Sequence, residues 1–107
     1  MIKVKFFTKH SKLCGFEVSG HSDLSDAGRD ILCAAVSSAA YMTANTLEEV
    51  LKLNINAEVN DGYMKIEVTE LTDEAENILK GFRLHISALA KDYRNNLKVI
   101  YGGAQNA

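Results

Sequence analysis

A histidine and a cysteine stand twelve positions apart, His21 and Cys33, in the stretch Gly20-His21-Ser22-Asp23-Leu24-Ser25-Asp26-Ala27-Gly28-Arg29-Asp30-Ile31-Leu32-Cys33. A thiolate is a nucleophile, and an imidazole beside it can carry its proton. A polar path of that length is long enough to close on itself and bring the two groups together. His21 follows a glycine that ends a strand-like run. Cys33 sits near a helix start, where the partial positive charge of free N–H groups favours thiolate over thiol. The chemistry this allows is attack by sulfur on a carbonyl, with His21 holding the thiol proton and delivering it to a leaving amine.

The elements around the pair set its geometry. Ile2, Val4 and Phe6 alternate with Lys3 and Lys5, the period of a half-buried strand. His10-Ser11-Lys12 reads as a turn, and Phe16 and Val18 continue the alternation on a second strand ended by Gly20. His21 to Gly28 is polar and turn-rich, which predicts a mobile loop with Ser22 and Gly28 in it; Gly28 supplies backbone freedom. Asp30 is a good N-cap residue, so the helix is predicted to begin there with Cys33 as its third residue. Ser37 follows one turn later on the same face. From Ile31 to Ala44 charge is almost absent, which predicts a helix buried on most sides, and its alanines and serines suggest close approach to a sheet or a second helix.

Asn60-Asp61-Gly62 between Ala57-Glu58-Val59 and Tyr63–Val68 is a hairpin signal. Asp73-Glu74-Ala75-Glu76 opens a second helix with a capping-box-like pattern, whose apolar face runs through Ile78, Leu79, Phe82, Ile86 and Leu89. Leu97, Val99 and Tyr101 form a last short strand. The order ββαββαβ predicts a single α+β domain over 1–107, two-layered, with two helices on one face of a mostly antiparallel sheet.

Composition narrows the function. The chain has 107 residues, 47% hydrophobic and 24% charged, with a formal net charge of −2. That balance argues against a general nucleic-acid binder, which needs a positive field. An alternating N-terminus without an apolar core, and no long apolar run, predict a cytoplasmic protein without a membrane segment. Cys14, near a turn, reads as structural. Cys33 has a bland alternative as a small core residue, because Ile-Leu-Cys-Ala-Ala-Val is an apolar context. His21, Asp23, Asp26 and Cys33 include metal-ligand types, but their spacing matches no zinc pattern. His10 reads as a solvated turn residue and His85 as a boundary residue of the second helix.

Gly20-His21 followed by Asp30-Ile31-Leu32-Cys33-Ala34-Ala35-Val36-Ser37 resembles the signature of the ribosomal-processing cysteine protease (Prp) family, a Gly-His pair, a loop, and an Asp-Ile-Val-Cys-Ala helix start. The resemblance also covers Gly28, the length and the element order. Ser22 stands where alanine is common and Leu32 where valine is common; neither removes a reactive group. The resemblance implies His21 as catalytic histidine and Cys33 as nucleophile, with Asp30 and Ser37 at supporting positions. It implies an endopeptidase that removes the N-terminal extension of a large-subunit ribosomal protein, cutting after an aromatic residue in a short hydrophobic motif. It also implies a homodimer without cofactor or metal. The alternatives are a non-catalytic ribosome-assembly or interaction module, and a thiol-based redox or metal sensor.

Overall fold

The computed structural model describes the backbone of residues 1–21 and 26–104 and the side chains of 1–21 and 31–101. Among these residues the chain forms β1 (Ile2–Lys9), β2 (Lys12–Gly20), α1 (Asp26–Asn45), a π-helical turn (Thr46–Val50), β3 (Ile55–Asn60), β4 (Tyr63–Val68), α2 (Asp73–Asp92) and β5 (Leu97–Ala104). The order ββαββαβ is as predicted. The strands make one sheet in the order β3-β4-β2-β1-β5. Only β1 and β5 pair in parallel; β1 with β2, β2 with β4, and β3 with β4 are antiparallel.

Alternation decides which face is buried. Ile2, Val4, Phe6, Phe16, Met64, Ile66 and Leu97 join Leu32, Val36 and Ala40 of α1 and Ala75, Leu79, Phe82 and Ile86 of α2 in one core. Phe82 stacks on both hairpin strands, its ring centroid 5.7 Å from Phe6 and 4.5 Å from Phe16. The β1–β2 register slips between Phe7 and Thr8, because Phe7 faces Gly15 and Thr8 faces Leu13. Cys14 is therefore the extra residue of a β-bulge. Phe6 and Phe7, consecutive in β1, point to opposite faces of the sheet and are both buried. Lys5 and Lys65 cover the Phe7 ring from outside, with ammonium groups 5.8 Å and 5.2 Å from its centroid.

Three sequence expectations change. α1 starts at Asp26, so Asp30 lies inside the helix and is not its N-cap. Gly28 is helical for the same reason, and is not a loop residue. The cap preference of aspartate is a local one that does not fix the boundary, and a glycine inside a helix costs only about 1 kcal/mol. Of the expected loop, residues 22–25, Ser22 among them, lie outside the described residues. Third, α1 is buried along the stripe Leu32, Val36, Ala40 and Ala44 but exposes Ile31, Ala34, Ser37, Ser38, Tyr41 and Met42. A two-layer fold has no third layer to cover that side.

The second helix keeps half of its expected cap. The Thr72 hydroxyl accepts from Ala75 N–H at 3.1 Å, which puts alanine at the third helical position where a capping box needs a carboxylate. Glu76, one residue on, instead accepts from the N–H of buried Leu13 at 2.9 Å. It ties the β1–β2 hairpin to α2.

Candidate active site

Strand β2 ends at Gly20, whose φ is +91°; a Cβ there would sit 2.3 Å from the Met1 carbonyl oxygen. Only glycine fits that position, and it sets the direction in which the chain leaves toward His21. The Gly20 N–H donates to the Gly62 carbonyl at 3.1 Å. Gly62 is the second residue of the Asp61–Gly62 turn joining β3 to β4, with φ +70°. A Cβ on Gly62 would lie 3.2 Å from His21 Nε2 and 3.3 Å from Cε1. The imidazole thus rests against a turn that carries no side chain under it.

α1 brings the thiol to the same place. Cys33 and His21 both line a cleft of about 330 Å³ above the end of the sheet. Its floor is Ile2, Val18, Val36, Ala40 and Met64, and its rim includes Ser37, Tyr41, Val59, Asn60, Asp61, Gly62 and Tyr63. Cys33 is half-buried and Ser37 is exposed. The side chain of Asp30 lies outside the described residues. The Tyr63 hydroxyl donates to the Glu17 carboxylate at 2.7 Å, which pushes its pKa up to about 12. It is held by a carboxylate and keeps its proton at neutral pH.

The position of Cys33 corrects one part of the chemistry. With α1 beginning at Asp26, Cys33 is two turns in, past the first turn where the helix end acts most strongly. Its N–H is likewise beyond the first four that a helix leaves unpaired. The second thiol is placed differently. Cys14 is 2% exposed and donates to the Phe7 carbonyl at 3.6 Å. Burial is the main cause that pushes its pKa up, with the Glu67 charge adding to it. Among the described residues no group of three His, Cys, Asp or Glu side chains is arranged to hold a metal ion.

Sequence reasoning singled out His21, Cys33 and Ser37, and the fold brings all three to one cleft. It missed Gly62, which reads in sequence as a turn residue alone, because its contact with His21 depends on β4 lying next to β2. It also missed Tyr41, for which a signal existed: positions 33, 37 and 41 repeat at four-residue spacing on one helix face.

A thiol and an imidazole opening on one partly apolar cleft of an α+β domain have the makings of a cysteine-dependent hydrolase. Comparison with known proteins is specific. The sequence model of the family described as cysteine protease Prp matches residues 1–98, and the chain belongs to that family. A ribosomal processing cysteine protease Prp from Bacillus subtilis is 24% identical over 92% of this chain and 96% of its own. A Streptococcus mutans protein of solved structure is 27% identical, superposes with a TM-score of 0.85, and covers 96% of this chain and 95% of its own. The Staphylococcus aureus Prp, solved with a covalently linked product peptide, shares the fold at a TM-score of 0.85 with 24% identity, over 95% of this chain and 100% of its own.

Proposed function

We propose that this chain is a cysteine endopeptidase that removes the N-terminal extension of a large-subunit ribosomal protein, with Cys33 as nucleophile and His21 as its proton partner. The observation that carries the reading is the sorting of the two thiols: Cys33 opens with His21 on a cleft, while Cys14 is sealed in a bulge. Membership in the Prp family supports the chemistry, and the peptide complexes of the Staphylococcus aureus relative support a peptide as substrate.

In the first step the Cys33 thiol passes its proton to His21 and the sulfur attacks the scissile carbonyl. As the C–N bond breaks, His21 returns the proton to the leaving amine and a thioester remains. Water, deprotonated by His21, then attacks the thioester; the carboxylate product leaves and the thiol is restored. The apolar floor formed by Val18, Val36, Ala40 and Met64 takes a hydrophobic side chain next to the cut. Ser37, one turn after Cys33 on α1, supports the sulfur. The same reading makes the enzyme a cytoplasmic homodimer that needs no cofactor.

The test is cleavage of a precursor peptide that spans the extension and its junction. Cys33→Ala and His21→Ala are each expected to abolish cleavage with the circular dichroism spectrum unchanged. Full cleavage by the Cys33→Ala protein would refute the proposal. Binding without cleavage by the wild type would make the chain a non-catalytic module.

A further inference from the structure

The cleft does not end at the thiol. Cys33, Ser37 and Tyr41 recur at every fourth position of α1, which stacks them on one helix face, and all three line the cleft. Tyr41 is 48% exposed. Val59, on the edge strand β3, lines the same cleft and is also 48% exposed. Neither belongs to the core. Two large apolar side chains are therefore held half in water at one rim of a cavity whose other members include the thiol and the imidazole. At 1.5 Å per residue, the eight positions from Cys33 carry Tyr41 about 12 Å along the helix. An extended peptide rises about 3.3 Å per residue, so that distance matches three to four residues of substrate.

We propose that Tyr41 and Val59 form a second side-chain subsite that reads an apolar residue three to four positions from the scissile bond. The inference rests on the protease reading and adds the substrate feature that the remote rim selects. Tyr41 suits the task because its ring offers apolar area while its hydroxyl stays wet. Val59 suits it because the edge strand leaves its side chain uncovered. A peptide anchored there is held across the thiol at two points. The second anchor fixes the scissile carbonyl over Cys33.

The experiment is steady-state cleavage of the precursor peptide and of four variants of it, with alanine three or four positions before or after the cut. Wild type is expected to lose about tenfold or more in kcat/KM at one of these positions, mainly through KM. Tyr41→Ala is expected to show that same loss on the unmodified peptide and no further loss with the sensitive alanine peptide. Its rate of Cys33 alkylation should equal that of wild type, which reports an intact thiol site. Val59→Ser should repeat the pattern, and it decides the matter if Tyr41→Ala does not fold. Losses that simply add, or variants with wild-type kinetics, overturn the subsite and leave the protease reading standing. Absence of cleavage by wild type overturns both.

Discussion

Two cysteines of one chain occupy opposite chemical situations, and the difference is a matter of a single residue's surroundings. Cys14 is a bulge residue with its thiol bonded to a carbonyl and almost no exposure; Cys33 looks into a cleft. Iodoacetamide at neutral pH is therefore expected to label Cys33 and to spare Cys14 until the chain unfolds, a contrast that peptide mapping by mass spectrometry reads directly. Faster labelling at Cys14 would contradict the structure. Burial also gives Cys14 a pH signature. Its folded pKa is raised, so the neutral thiol is the native form, and its contribution to stability is complete below the ordinary value of 9.0 and is lost as pH climbs toward the raised one. Between pH 7 and pH 10 wild type should lose more stability than Cys14→Ala, measured by urea unfolding. At this scale the sequence was most legible. His21 and Cys33 announce themselves by type, because few residues can do nucleophilic chemistry. Gly62 does not, because glycine in a turn has a sufficient local reason for being there.

Elements are held by contacts that composition conceals. The Glu76 carboxylate takes the N–H of buried Leu13, a bond between residues far apart in sequence. Glu76→Ala leaves that N–H without a partner and is expected to cost about 1–3 kcal/mol, seen as a lower urea midpoint. Gly15→Ala should cost at least as much, because the new Cβ would fall 2.2 Å from the Ile66 carbonyl oxygen and 3.0 Å from Glu67 Cα across the β2–β4 pairing. Tolerance of alanine there would mean that β2 and β4 are not neighbours. Strands and hairpins were readable in the sequence because alternation and the Asp-Gly turn are local signals. The start of α1 was not, because the cap preference of Asp30 is local and the helix runs on before it to Asp26. Moving that start moves Cys33 from the helix end to its body, beyond the turn where the helix end acts most strongly on a thiol.

The whole molecule separates what holds it together from what does its chemistry. Strand order is a non-local property: β5 crosses to pair in parallel with β1, and β2 pairs with β4 rather than with the β3 that comes sooner in the chain. No residue pattern states this, yet it is what sets the Asp61–Gly62 turn beneath His21. The aromatic centre lies elsewhere, with Phe82 of α2 packed on Phe6 and Phe16 and absent from the cleft lining. Phe82 is 3% exposed, so Phe82→Leu leaves a void and loses ring contacts, at an expected cost of about 1–3 kcal/mol. For a domain of this length each kcal/mol lowers Tm by roughly 4–8 °C. The cleft is built from the ends of β1, β2 and the β3–β4 hairpin together with α1, and none of these takes its position from Phe82 alone. At 25 °C, with the variant still folded, kcat and KM should stay within about twofold of wild type while Tm falls. A drop in kcat at a temperature where circular dichroism reports a fully native chain would show that the Phe82 core sets the geometry of the thiol and the imidazole. The site would then belong to the entire domain and not to one end of its sheet.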